Sequence, residues 1–117
     1  MSNNFKLIFV AFAMITISSS SCKKDQLKPE CESGDALTYD ADMKSLIDSK
    51  CATSGCHGSG SGNGDFSSYS GLVSVINNGR LEREVLTDQT MPRGSSNLSQ
   101  EEINSFQCWA ENEFAEN

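Results

Sequence analysis

The sequence predicts an all-α domain, and three observations predict it. Apolar residues recur three and four positions apart in successive segments, and a helix-capping signature opens the last of them. No run of useful length alternates apolar with polar residues at strand period, and no stretch of the chain repeats another. The expected architecture is three to four short helices joined by Gly- and Ser-rich loops. The first helix is expected over Thr38 to Lys50, where Met43, Leu46 and Ile47 form one stripe and Asp40 and Asp42 favour the N-terminal end. It runs directly into Cys51. Gly58 to Gly64 alternates glycine with small polar residues and reads as a flexible loop. That loop lacks both a Lys-Ser/Thr ending and an apolar strand before it, so it is no phosphate loop.

Ser67 to Asn77 is the second expected helix, with Tyr69, Leu72, Val73 and Ile76 on one side and Asn78-Gly79 as its stop. Leu81 to Leu86 adds a short third helix with Leu81 and Val85 together, and Thr87 to Asn97 is a loop containing Met91-Pro92-Arg93-Gly94. In the last helix Ser99 and Glu102 match a capping box, with Leu98 and Ile103 spaced as a hydrophobic staple. Ile103, Phe106, Ala110 and Phe114 form its expected core stripe. Cys108 lies roughly 140° around the helix from Ile103, off that stripe and placed to hold an N-terminal segment wrapping the outside.

Residues 1–21 read as an export signal rather than fold. Lys6 supplies a positive n-region, Leu7 to Ile17 an apolar core too short to span a bilayer as a mature helix, and Ser18 to Ser21 a small-residue end. Small residues followed by Cys22 resemble a lipoprotein cleavage box, which implies a mature N-terminus acylated at Cys22 and a membrane-anchored protein facing the periplasm or cell surface. The alternative is ordinary cleavage that leaves Cys22 free. Residues 22–37, with Pro29, Gly34 and almost no apolar content, read as the tether, and residues 38–117 as one small domain.

A domain of this size, poor in aliphatic side chains, commonly needs a staple, a metal or a large cofactor to fold stably. From Glu30 onward there are 15 acidic residues (the 16 of the chain less Asp25) against five basic ones: Lys44, Lys50, Arg80, Arg83 and Arg93. A balance of about −10 argues against a nucleic-acid partner and points to partners with a basic or neutral docking surface.

The chemistry concentrates in Cys51-Ala52-Thr53-Ser54-Gly55-Cys56-His57, which holds two thiols and the only histidine. A zinc site seldom uses adjacent ligands, because neighbouring side chains must converge on one small ion. A porphyrin removes the conflict: Cys56 reaches the macrocycle edge while His57 turns under its face to the iron. A plain Cys51–Cys56 disulfide beside an incidental histidine is the competing interpretation. Met91 sits in a polar loop with little packing reason to be there, and a methionine thioether opposite histidine is a common iron pairing in electron-transfer haem proteins. Met43, by contrast, lies on the stripe of the first helix and reads as core.

From about Tyr39 to Phe114 the chain resembles a small class I-type monohaem cytochrome c domain. The order of helix, C…CH, glycine loop, helix, Met-Pro and aromatic C-terminal helix carries the likeness. The segments Lys50 to Gly58, Met91-Pro92 and Cys108-Trp109 are similar to cytochrome-c-like lipoproteins of Bacteroidetes-type bacteria. The spacing here is C-x₄-C-H, two residues longer than the usual C-x₂-C-H, and Gly55 at positive φ offers one way to absorb the difference. The resemblance implies one covalent haem c, thioether-linked through Cys51 and Cys56 and ligated by His57 and Met91. It also implies that the first and last helices cross beside the haem, with Trp109 near it or at its rim. With Cys22 acylated and Cys51 and Cys56 on haem, Cys31 and Cys108 remain. A disulfide between them would close a loop of about 77 residues and contribute roughly 3–4 kcal/mol through the unfolded state; other pairings stay open at this level.

The expected function is therefore electron transfer rather than catalysis, with redox proteins as partners. Two other readings compete: a haem domain serving a partner oxidoreductase, and a haem-free, disulfide-stapled lipoprotein that binds or tethers something else.

Overall fold

Thr38 starts the first helix by satisfying donors that a helix end leaves bare. Its hydroxyl accepts from the Ala41 amide, and its own amide donates to the Asp42 carboxylate at 2.8 Å. In the computed structural model, which describes residues 31, 36–94 and 97–117, the first turn that follows is π-helical over Tyr39–Met43. It continues as α1, Lys44–Lys50. The signal segment, Cys22 and most of the tether 22–37 lie outside the described residues. Then come α2 (Tyr69–Asn77), α3 (Arg80–Glu82, prolonged by a π-helical turn Arg83–Thr87) and α4 (Gln100–Glu111). Among the described residues there is no strand, and no helix is long and apolar enough to cross a membrane.

The stripe on the first helix is real: Met43 and Ile47 are buried and Leu46 is half-buried. The second helix begins two residues later than expected. The reason is Asp65, whose carboxylate accepts from both the amide and the hydroxyl of Ser67 and holds that residue in a turn. Leu81 and Val85 are buried as the third segment requires. In α4 both halves of the capping box form: the Ser99 hydroxyl accepts from the Glu102 amide at 3.2 Å, and the Glu102 carboxylate accepts from the Ser99 amide at 2.7 Å.

The expected stripe on α4 needs one change. Phe106 is buried as foreseen, but Trp109 rather than Ala110 is the deepest residue, at 0% exposure. Phe114 reaches the core because the helix stops at Glu111. Glu113 and Phe114 both take φ of +54°, which folds the tail back. The tail then binds the start of the first helix, where Tyr39 and Asp40 amides donate to the Ala115 and Glu116 carbonyls at 2.9 Å each. Trp109 Nε1 donates to Ala115 O and the Tyr69 hydroxyl to Phe114 O, each at 2.9 Å, so three helices meet on one short segment. Asn112 Nδ2 donates to Leu37 O at 3.0 Å and fastens the end of the tether as well.

Cys31 and Cys108 are joined in a disulfide with Cα atoms 5.4 Å apart, the outward position of Cys108 on α4 being what the helix angle requires. Replacing both by serine is expected to lower the unfolding free energy by about 3–4 kcal/mol through the unfolded chain. Trp109→Ala should cost about 3–5 kcal/mol, and Ser99→Ala about 1 kcal/mol. Urea titration followed by far-ultraviolet circular dichroism reads all three. A Trp109→Ala protein less affected than Ser99→Ala would contradict the core assignment.

Candidate haem-attachment site

Cys51 closes α1, its amide donating to Ile47 O at 2.8 Å. The chain then makes a tight reversal. The Cys56 amide donates to Thr53 O at 3.0 Å, and Gly55, third of the four residues, has φ of +85°. That is the arrangement of a type II turn, in which a left-handed third residue favours glycine. The two residues by which this motif exceeds C-x₂-C-H are absorbed here. The His57 amide donates back to Cys51 O at 3.1 Å, so the backbone of the motif closes on itself.

Beyond His57 the glycine loop is tied down rather than loose. Ser61 Oγ donates to Cys56 O at 2.6 Å, and Asp65 accepts from the Gly60 amide at 3.0 Å. The Ser67 hydroxyl, then the Gly60 and Ser67 amides, hold the Asp65 carboxyl below the usual carboxylate range. The Phe66 amide donates to His57 O at 2.8 Å, which brings the Phe66 ring against the imidazole. The two rings stack with centroids 4.0 Å apart and planes 10° from parallel. On the same side the Gly64 carbonyl lies 3.3 Å from His57 Nδ1. Gly64 has φ of +106°, which strains any other residue there, and a Cβ would crowd the Phe66 ring at 3.1 Å.

With its proton on Nδ1 and directed to the Gly64 carbonyl, the imidazole keeps the Nε2 lone pair for a metal. A backbone carbonyl that fixes ring and tautomer in this way is the usual outer partner of a ligating histidine. The two thiols differ. Cys56 is exposed, Cys51 half-buried, and they are not bonded to one another. Burial, with Cys56 close by adding to it, pushes the Cys51 thiol up to about 11. Such a thiol stays protonated at neutral pH. Among the described residues no three His, Cys, Asp or Glu side chains are grouped to hold a bare metal ion.

Met91 is positioned separately. After the π-helical turn Gln89 takes φ of +50°, and the Thr90 and Met91 amides both donate to Glu84 O, at 2.9 and 3.2 Å. The Thr90 hydroxyl donates to the Glu84 carboxylate and doubles the tie. The Met91–Pro92 peptide is cis. Met91 is half-buried and borders a cavity of about 160 Å³ with Val85, Pro92, Leu98 and Ile103, whose walls do not include His57. The structure thus closes Cys51 to His57 into one backbone loop and holds Met91 in a segment tied to Glu84, beside a cavity whose walls include none of Cys51, Cys56 and His57.

Sequence reasoning missed Gly64, Asp65 and Phe66 as the frame around His57. One signal was available. Gly71 sits inside α2 with no helical reason to be there, and a Cβ at that position would lie 1.7 Å from the Asp65 carbonyl oxygen. A lone glycine within a helical pattern commonly marks such an approach.

Comparison of the chain with known protein families, with curated proteins and with solved structures finds no match.

The thiol difference gives a direct test. In haem-free protein at pH 8, iodoacetamide should modify Cys56 well before Cys51. The Cys51 rate should climb about tenfold per pH unit until the pH nears the raised thiol value. Peptide mass spectrometry resolves the two sites, and equal rates at pH 8 would contradict the buried placement of Cys51.

Proposed function

We propose that this chain is an electron-transfer protein carrying one covalent haem c, exported and held at the membrane by an acylated Cys22. The observation that carries the reading is the environment of His57: two unpaired thiols near it in sequence, Nδ1 facing a backbone carbonyl, and the ring stacked against Phe66. The donor set fits the group. Cys51 and Cys56 would provide the thioether links, and His57 and Met91 the axial ligands. When bound with both axial positions filled by protein, the haem supplies one reversible electron and offers no open site to a substrate.

The residues divide the remaining work. The Gly64 carbonyl orients His57. Glu84, through the Thr90 and Met91 amides, fixes the height of Met91 above its cavity. Lys50, at the end of α1, pairs with Glu102 at 3.2 Å and ties the attachment segment to α4. No Ser/His/Asp set is available for hydrolysis, because the only histidine is committed here. Redox proteins with a basic or neutral contact face are the expected partners.

Expression in a host with cytochrome c maturation should give a coloured protein, and His57→Ala a colourless or poorly loaded one. Carbon monoxide should leave the reduced wild type unchanged and shift the spectrum of reduced Met91→Ala. Ready uptake by wild type would remove Met91 from the iron. A colourless wild type would instead favour the disulfide-stapled, haem-free lipoprotein.

A further inference from the structure

The two residues that touch the His57 ring stand on either side of Asp65. The Gly64 carbonyl faces Nδ1 at 3.3 Å, and the Phe66 ring stacks on the imidazole at 4.0 Å between centroids. Asp65 is fastened twice. Its carboxylate accepts from the Gly60 amide earlier in the loop and from the amide and hydroxyl of Ser67 beyond it, each amide at 3.0 Å. These donors hold the carboxyl below its ordinary range, so it stays ionised and accepts only. Its backbone is seated as well, because the Asp65 carbonyl oxygen would lie 1.7 Å from a Cβ placed on Gly71 of α2.

Starting α2 accounts for only part of this arrangement. A turn at Ser67 requires the bonds to Ser67 and not the reach back to Gly60. Nor does a helix call for glycine at its third residue, since glycine is the poorest helix former after proline. What Gly71 provides is room for the Asp65 carbonyl. Meanwhile His57 needs outside help. Free imidazole in water favours the proton on Nε2, the atom that a metal needs bare, so the other tautomer must be selected by the surroundings.

We infer that Asp65 and Gly71 are positioning residues that select the tautomer and orientation of His57, by holding Gly64 and Phe66 in register with its ring. As a device for orienting an iron ligand this rests on the haem reading; the tautomer itself does not. The imidazole is thereby set from α2, a helix that supplies no ligand.

The test reads the imidazole of the haem-free mature chain by ¹⁵N NMR, at a pH where the ring is neutral. Wild type should show Nδ1 protonated and Nε2 bare, and the opposite tautomer would overturn the inference. In Asp65→Ala and Gly71→Ala the ratio of Nδ1–H to Nε2–H tautomer should fall about fivefold, the worth of one neutral hydrogen bond. Asp65→Asn keeps an oxygen for Ser67 but sets an amide donor against the Gly60 amide. It should therefore retain the far-ultraviolet circular dichroism of wild type and still lower the ratio, which covers the case in which the alanine variants fail to fold. A wild-type ratio in folded Asp65→Asn and Gly71→Ala would overturn the inference. Val73→Ala, an exposed change on the same helix, should leave the ratio unchanged, and an equal fall there would also overturn it. In matured Fe(III) protein, Asp65→Asn should alter the order of the haem methyl proton shifts, which follows the azimuth of the imidazole plane. An unaltered order would remove the positioning role. A chain that never takes up haem overturns the electron-carrier reading and leaves the tautomer result standing, whereas a coloured protein with the wrong tautomer in its haem-free form overturns this inference alone.

Discussion

Everything in this small domain hangs on the burial of Trp109. Its ring is wholly enclosed, edge-on to Phe114 at 5.0 Å between centroids and tilted against Tyr39 and Phe106 at 6.2 Å each. Its one polar atom is satisfied by the tail it helps to fold back. A chain this poor in aliphatic residues gathers its apolar area into a few large rings, which dominate burial per residue. Because those rings come from the first helix, α4 and the tail, the same contacts set how the first helix lies on α4. That in turn fixes where Cys51 emerges.

From that frame the site is built by backbone more than by side chains. A four-residue turn takes up the longer cysteine spacing, one carbonyl orients the imidazole, and another carbonyl holds the loop bearing Met91. The disulfide and the tail fasten Cys31, Leu37 and the start of the first helix, and Cys51 and Cys56 take no part in the bridge.

The features legible in the sequence were local ones. The capping box of α4 needs only Ser99 and Glu102, the stop after α2 only Asn78-Gly79, and the outward direction of Cys108 only the helical angle. Gly55 could be singled out because turn chemistry names its residue type. What stayed hidden depends on chain reversals. Phe114 enters the core through two left-handed residues, Glu113 and Phe114, that no periodicity announces. The rank of Trp109 over Ala110 follows from where the tail returns. The clamp on His57 closes through Gly64 and Phe66 across a loop whose composition said only that it was irregular. Asp65, read as one more acid in an acidic chain, in fact decides where α2 begins.

The claim on which the rest depends is that both thiols of Cys51–His57 are joined to haem, and one measurement reaches it directly. Trypsin cuts after Lys50 and Arg80, releasing the segment that begins at Cys51 and ends at Arg80 from protein matured in a competent host. The predicted result is that this peptide carries one haem and has no thiol left to alkylate. Recovery of the same peptide without haem, lighter by two hydrogens from a Cys51–Cys56 disulfide, would contradict it.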